Sequence, residues 1–541
     1  MSRALISSAD FFPLAYCMLE RDAEHVTIRS QLDPDAYKKK ERAARLKMDI
    51  QILPVCVLLY LLAYIDKSNI SQAMLDGKNL PNGKVEDPGI LTSLNMTPHE
   101  FSIALTVLFP TYMAFQLPSN LIIRKIGPRI WIPTLALTWG VVETLQGLVT
   151  SKAGLYINRI FLGLAEAGLT PGITLLLTFF YVPKELQFRQ AFYFTGASLS
   201  GSFSGLLATA LRKMDGISGQ HGWQWVFYIE GIFTVAVAIV CYFIIPNGPR
   251  GCFMLSPLER ELIIQRQRAP TYRYQDLPHL TLKLKEVEFE PTSENEGLLL
   301  TPPWYKEVLR TFIDERVYLT GILGFCVSLP IFSFTNFMPS IIKGMGDYST
   351  AKSMLLSCPP FAASFVYSLC MAFVADRLQL RYLSVMLSFI ITLVGLAVLW
   401  GCNEPMHRYG GIFMVAAGSY SGPPCMFAWM ANNSAGYYKR TSALAFVHMM
   451  DNASGLVAAW LFNSHTEAPR FLRGTATNLA ITLLGMVVAT IQECRIWQER
   501  RQRACGRRDE CVVELYRRTH WPREVLRSYL GDRHPEFLLE L

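Results

Sequence analysis

The stretch L-L-Y-L-L-A-Y-I-D-K-S-N-I-S-Q-A, Leu58 to Ala73, begins as an apolar helix and then places Asp66 next to Lys67. A charged residue at the centre of a membrane helix costs roughly 2.5–3.5 kcal/mol on insertion scales, so such residues usually face a cavity and pair with another group. The stretch therefore predicts a membrane helix that carries two functional charges.

The composition of the whole chain supports a membrane protein that crosses the bilayer many times. Of its 541 residues, 51% are apolar and only 17% are charged, whereas soluble proteins average about 25% charged residues. The mean hydropathy is +0.24. The net charge of +8 comes from basic residues that flank apolar segments, which is typical of topology signals and not of a nucleic-acid-binding face.

Twelve apolar windows are long enough to span a bilayer, which needs about 20 residues each. They centre near Tyr60, Tyr112, Ala136, Ala167, Ser202 and Ala236, and, after a polar segment, near Leu329, Phe361, Ile390, Val415, Val447 and Gly485. This pattern predicts an all-α membrane protein with two bundles of six helices. The predicted boundaries are an N-terminal segment 1–48, a first bundle 49–246, a central loop 247–315, a second bundle 316–494 and a basic tail 495–541.

Lys and Arg in the short loops predict the orientation, because they are enriched on the cytoplasmic side. With the N-terminus inside, the cytoplasmic loops contain Arg124, Lys125 and Arg129 in the first half and Arg377 and Arg381 in the second. The central loop and the Arg-rich tail fall on the same side. We therefore expect both termini in the cytoplasm.

Two further charges lie in the fourth window, where Arg159 and Glu166 are seven residues apart and share one helix face. A rise of about 1.5 Å per residue puts Asp66 and Arg159 at a similar depth, with Glu166 nearer the midplane. The four charges could then line one polar cavity, in which Lys67 and Arg159 bind an anion while Asp66 and Glu166 take up protons. The alternative is that these ions only pair to hold helices together.

Several motifs carry a resemblance to a known family: Y-I-D-K-S-N-I from Tyr64, R-I-F-L-G-L-A-E-A-G-L-T-P-G from Arg159, and A-D-R from Ala375. With them the sequence resembles the major facilitator superfamily, and within it the fungal allantoate permease branch of the anion:cation symporter family. The resemblance implies two pseudosymmetric six-helix bundles that work by alternating access with proton symport. Known substrates of the branch include vitamins and ureides.

The resemblance also implies roles for individual residues. It gives proton coupling to Asp66 and Glu166, and it makes Lys67, where relatives usually have Arg, the contact for the substrate carboxylate. The full set of substrate-binding candidates is Tyr64, Lys67, Tyr112, Arg159, Asn336 and Asn452. Candidates for a gating loop after the second and eighth windows are Arg124, Lys125, Gly127, Arg129, Asp376, Arg377 and Arg381.

The leading hypothesis is proton-coupled uptake of a small organic anion across the plasma membrane, by a monomer whose partners are the anion, protons and lipid. Export of a metabolite or drug by proton antiport and a transporter-like nutrient sensor remain alternatives. An enzyme, a cofactor or a nucleic-acid partner is not expected, because the sequence has no nucleophile–base set, metal cluster or phosphate loop. Asn95 begins a glycosylation sequon, Asn95-Met96-Thr97, on a predicted outer loop.

Overall fold

The computed structural model of the protein describes residues 33–73, 89–268, 280, 304–346, 350–378, 381–461, 471–519, 523–537 and 539. Much of the predicted N-terminal segment and of the predicted central loop lies outside these residues. The described part is folded mainly into long helices.

Twelve long helical units follow one another in the described residues, and we number them α1 to α12. The first six are α1 Pro34–Ala73, α2 Pro98–Ile126, α3 Pro128–Gln146, α4a Lys152–Glu166 with α4b Leu169–Phe180, α5 Pro183–Leu211 and α6 Gly222–Ile244. The second six are α7 Glu315–Lys343, α8 Thr350–Leu378, α9 Arg381–Gly401, α10 Pro405–Asn432, α11 Tyr437–Leu461 and α12 Leu472–Ala504. Shorter described helices are Ile90–Ser93, Pro257–Arg268, Trp304–Ile313, Asp509–Thr519 and Arg523–Leu530.

Among the described residues, eight units are long and apolar enough to cross a membrane by length and composition alone: α1, α2, α4, α6, α7, α8, α9 and α12. The other four, α3, α5, α10 and α11, are more polar. Their surroundings explain this in α10, where every residue from Gly418 to Asn432 is buried. A helix that is covered by protein does not need an apolar surface toward lipid.

The two halves of the chain repeat the same packing arrangement. In the first half α1 packs on α5, α2 on α4a and α3 on α6; in the second half the equivalent pairs α7 and α11, α8 and α10, and α9 and α12 are in contact. Adding six to each helix number converts one set into the other. The contacts therefore show two pseudosymmetric six-helix bundles, as duplicated transporter halves have.

The two bundles meet along two seams, α2 against α11 and α5 against α8. The first seam carries hydrogen bonds at both ends: Trp460 Nε1 donates to Thr106 Oγ1 at 3.0 Å, and Asn120 Nδ2 donates to the Thr441 carbonyl at 3.4 Å. On the second seam Ser202 Oγ donates to the Cys358 carbonyl at 3.4 Å. Between the two seams α1 contacts α7 and α4b contacts α11, so side chains of the two bundles also face each other there.

Ion pairs tie the helices together at the face where α1 begins and α12 ends, which we call the termini face. In the first half Lys47 Nζ lies 2.8 Å from Glu259 Oε1. In the second half Lys439 Nζ lies 2.6 Å from Asp314 Oδ2 and 2.7 Å from Asp532 Oδ2, and Arg316 pairs with both carboxylates. The C-terminal segment is thereby fixed to the starts of α7 and α11.

Burial alone would raise the pKa values of Asp314 and Asp532, but the neighbouring cations outweigh it. Arg316 and Lys439 hold the pKa of Asp314 below its usual range, and Lys439 and Arg316 do the same for Asp532. Both carboxylates are therefore ionised at neutral pH, and this charge cluster, which we call the tail clamp, is complete there.

Candidate functional site

Lys67 lies at the centre of the molecule, between the two halves, in an aromatic and acidic environment. Its Nζ is 3.5 Å from Glu166 Oε2, 4.6 Å from the ring centroid of Tyr112 and 5.3 Å from that of Tyr64. Tyr64 and Lys67 share a face of α1 because they are three residues apart. A cation beside aromatic faces is stabilised by the ring quadrupoles, so the two rings and the Glu166 carboxylate together position the Lys67 ammonium group.

Glu166 owes its position to a kink in the fourth helix. Pro171 has no backbone N–H to donate to the Ala167 carbonyl, so the helical hydrogen-bond ladder breaks there and α4a ends at Glu166. Gly168 lies directly against α2: a Cβ on it would be 1.8 Å from Ser119 Oγ. The glycine lets the kinked segment approach α2, and the Glu166 carboxylate lies fully buried at this kink.

Asp66 points away from Lys67, since neighbouring residues on a helix are about 100° apart. It is fully buried within the first bundle, where Trp139 Nε1 of α3 donates a hydrogen bond to Oδ2. Asp66 interacts electrostatically with Glu166 and with Arg159. The structure therefore brings the four charges selected from the sequence into one region, with Asp66 on its interior side and Lys67 on its central side.

Two carboxylates that sequence reasoning missed belong to the same region: Glu143 of α3 and Glu230 of α6. Both are buried and both interact electrostatically with Asp66. Each stands as a single charge in an apolar window, in G-V-V-E-T and Y-I-E-G-I. Asp66 and Glu166 were selected because a charge within an apolar window is costly. The same criterion also selects Glu143 and Glu230.

The second bundle contributes Asp451 and His448 of α11, which sequence reasoning also missed. Asp451 accepts a hydrogen bond from Ser328 Oγ of α7 and interacts electrostatically with Lys67 across the centre. His448 Nε2 lies 3.4 Å from Thr174 Oγ1 of α4b. Both polar residues of α11 thus link the two bundles at the level of Lys67.

The remaining predicted substrate-binding residues are Asn452, Arg159 and Asn336, and no direct contact with Lys67 is found for them in the described residues. Asn452 is buried on α11, and its Nδ2 donates to the His448 carbonyl of its own helix at 2.8 Å. Arg159 is buried beside Glu143 and Glu166 inside the first bundle. The side chain of Asn336 lies outside the described part of the structure.

The predicted gating loop connects α2 to α3 through Gly127, whose φ of +88° is in the region that favours glycine. Arg129 N donates to Asn247 Oδ1 at 3.0 Å, and Arg129 Nε donates to the Tyr242 carbonyl at 3.3 Å. These contacts join α3 to the end of α6 in the same half. Of the other candidates, Lys125 and Arg377 are exposed, Arg381 is buried, and the side chains of Arg124 and Asp376 lie outside the described residues.

Asn95 is exposed in the turn before α2. The hydroxyl of the sequon residue Thr97 caps this helix: Glu100 N donates to Thr97 Oγ1 at 3.2 Å. Asn95 is therefore on the surface, two residues before the capping residue of α2.

Comparison with known proteins gives the family. The model of the Major Facilitator Superfamily matches residues 56–459. A transporter of Schizosaccharomyces pombe is 28% identical over 483 residues, which cover 89% of this chain and 88% of that protein. The high-affinity nicotinic acid transporter of Saccharomyces cerevisiae is 25% identical over 474 residues, covering 87% of this chain and 81% of that protein.

A solved structure supports the same fold. The crystal structure of a bacterial homolog of the human lysosomal transporter Spinster, inward-facing and occupied, matches with a TM-score of 0.55 at 12% identity. The match covers 82% of this chain and 96% of that one. The predicted fold class, an all-α membrane protein with two pseudosymmetric six-helix bundles, is confirmed, and the prediction that the protein is a transporter and not an enzyme is confirmed with it. The chain belongs to the Major Facilitator Superfamily.

Proposed function

We propose that the protein couples the movement of a small organic anion to protons by alternating access, and that the anion is a carboxylate such as a vitamin or a ureide acid. The observation that carries the proposal is the Lys67–Glu166 ion pair, which joins α1 to α4a of the first bundle on the side that faces Asp451 of the second. Lys67 is the one group of this pair that can bind a carboxylate, and Glu166 competes with the substrate for it.

This competition provides a physical reason for coupling. While Glu166 is ionised, its carboxylate forms an ion pair with Lys67. When Glu166 takes up a proton, its charge is lost and Lys67 becomes available to the substrate carboxylate. Proton binding and anion binding therefore favour each other, and the linkage is reciprocal. Loss of the proton on the other side restores the Lys67–Glu166 pair and displaces the substrate.

The aromatic neighbours of Lys67 favour a carboxylate attached to a flat ring. Tyr64 and Tyr112 flank the ammonium group, so a ring could stack on a tyrosine while its carboxylate contacts Lys67. A relative that is named a nicotinic acid transporter makes nicotinate the first substrate to test.

We place the protein in the plasma membrane with its termini face toward the cytoplasm. The support for this orientation is the concentration of Lys and Arg in the loops and tail of that face, because such residues are retained on the cytoplasmic side. Symport with protons makes the carrier an importer when the proton gradient is directed inward.

The test uses the full-length protein in liposomes with labelled nicotinate, followed by a competition screen with other vitamins, ureides and sugar acids. We expect accumulation under an inward proton gradient, and no accumulation in Asp66→Asn. Glu166→Gln should still exchange labelled for unlabelled substrate but should lose accumulation. Gradient-driven accumulation that survives in both variants would contradict proton coupling through these residues.

A further inference from the structure

Two glycines bring α3 and α6 into backbone contact inside the first bundle. A Cβ on Gly231 would lie 2.9 Å from the Gly140 carbonyl oxygen, and a Cβ on Gly140 would lie 3.1 Å from the Gly231 carbonyl oxygen. Side chains that are larger would separate the two helices. This close packing places Glu143, one turn after Gly140, and Glu230, next to Gly231, in the same buried interior.

The carboxylates in this interior come from three helices, and we call Asp66, Glu143 and Glu230 the interior carboxylate cluster. Their exposed fractions are 0%, 0% and 3%, so none of the three carboxyl groups is exposed to solvent. Trp139 Nε1 donates to Asp66 and Asn69 Nδ2 donates to Glu230. Neither oxygen of Glu143 has a hydrogen-bond partner in the part of the chain that the structure describes.

The charges that face the cluster do not balance. Arg159 and Glu166 of α4a face it, and Lys67 pairs with Glu166 on the central side. If every group were ionised, the cluster and Glu166 would carry four negative charges against the two positive charges of Arg159 and Lys67. Buried like charges disfavour full ionisation, and bound protons are the simplest way to remove the excess.

We infer that Glu143 and Glu230 are further proton-holding residues, which share with Asp66 a buried proton-binding site behind the Lys67–Glu166 pair. The inference rests on the proposed proton coupling and extends it to α3 and α6. A proton from water on one side forms an O–H bond with a carboxylate oxygen of the cluster. The same O–H bond breaks when the proton returns to water on the other side, and no electrons are exchanged.

Arg159 connects this site to the substrate site, because it interacts electrostatically with both Glu143 and Glu166. When Glu143 is ionised, it competes with Glu166 for Arg159. When Glu143 holds a proton, Arg159 interacts mainly with Glu166. The Glu166 carboxylate is then shared between Arg159 and Lys67, and the Lys67–Glu166 ion pair is weaker. A proton at Glu143 therefore favours substrate binding at Lys67 without any contact between Glu143 and the substrate.

The test measures protonation directly and transport separately. Infrared spectra of the full-length protein in lipid, recorded over a range of pH, resolve the carbonyl stretch of protonated carboxylic acids from the bands of carboxylates. We would compare wild type with Glu143→Gln, Glu230→Gln and the conservative Glu143→Asp. The matched control is Glu404→Gln, because Glu404 is a surface residue with a 69% exposed side chain.

We expect wild type to show protonated-carboxyl absorbance near neutral pH that decreases in Glu143→Gln and in Glu230→Gln and is unchanged in Glu404→Gln. In liposomes with nicotinate, Glu143→Gln should retain exchange but lose gradient-driven accumulation about tenfold, a typical coupling factor, and Glu143→Asp should retain part of it. Elution as a single peak on size exclusion shows that a variant is folded.

The outcomes separate this inference from the proposed function. Absorbance that is absent in wild type, or unchanged in both Gln variants, overturns the inference whatever the transport result. Loss of the absorbance with full gradient-driven accumulation overturns the coupling role of the cluster. If nicotinate does not accumulate in wild type, nicotinate is wrong as the substrate, while the infrared measurement still decides whether Glu143 and Glu230 hold protons.

Discussion

Replacing Gly168 with alanine should destabilise the kink that positions Glu166, whereas the same change at Gly172, one turn later, should not. The backbone of Gly168 has φ −90° and ψ −7°, a right-handed conformation that is open to alanine as well as to glycine. The effect therefore comes from space alone. The new Cβ would lie 1.8 Å from Ser119 Oγ and 2.8 Å from Leu135 Cδ1, where ordinary contacts between heavy atoms are about 3.5–4.0 Å.

The loss of stability in Gly168→Ala is set by the overpacking and by the side chain of Ser119, which must move. Overpacking of this kind costs about 1–3 kcal/mol. Ser119 cannot rotate away without losing the hydrogen bond that Trp131 Nε1 donates to it at 2.8 Å, which adds about 1 kcal/mol. Gly172→Ala meets nothing nearer than Ile123 Cδ1 at 3.5 Å and gains helix propensity of about 0.8–1 kcal/mol.

The two variants are compared by thermal melting of the full-length protein in detergent, followed by size-exclusion chromatography. The melting temperature serves as a ranking, because many large proteins unfold irreversibly. Gly168→Ala should melt below wild type, and Gly172→Ala at or above it. Adding Ser119→Gly to Gly168→Ala should recover part of the loss, since it removes the atoms nearest to the new Cβ. Equal melting temperatures for the two alanine variants would refute the reasoning.

Three further predictions concern charged groups. Lys67→Ala should abolish nicotinate uptake and Lys67→Arg should retain it, because a cation is needed there; equal uptake by the two variants would argue against an anion site. Asp532→Asn removes one of the two carboxylates that pair with Arg316 and Lys439 in the described residues and should lower stability by about 3 kcal/mol, as loss of one buried partner does; an unchanged melting temperature would contradict this. The depressed pKa values of Asp314 and Asp532 mean that the tail clamp stabilises the protein above about pH 3.9, the unfolded Asp value, and weakens as pH falls through the folded values. The melting temperature of wild type should therefore fall more steeply than that of Asp532→Asn below about pH 4, and parallel curves would count against the clamp.

The helices and their division into two sets of six could be predicted because hydropathy is a local property of the sequence. Each apolar window must satisfy its own backbone hydrogen bonds in lipid, so it folds as a helix whatever its neighbours are. Asp66, Lys67, Arg159 and Glu166 were recognisable for the same reason, since a charge in an apolar window is costly. The sequence could not show that Lys67 faces the other bundle while Asp66 faces the interior of its own.

The partners of these charges depend on how the helices pack. Glu143 and Glu230 meet because Gly140 and Gly231 allow α3 and α6 to touch, and these two glycines are 91 residues apart in the chain. Asp451 interacts with Lys67 because α11 packs against the first bundle at the seam with α2. Contacts between distant residues of this kind leave no periodic signal in the sequence.

The sequence by itself determined the membrane class of this protein, the two sets of six long helices and four charges that cannot be exposed to lipid, because each of these follows from the local cost of burying polar groups. The tertiary structure alone decided which charges form one group: it joined Lys67 to Glu166, added Glu143 and Glu230 to Asp66, and fixed Asp532 of the tail to Lys439. The physical reason is that electrostatic interactions depend on distances in space, and those distances are set by the close packing of helices from different parts of the chain.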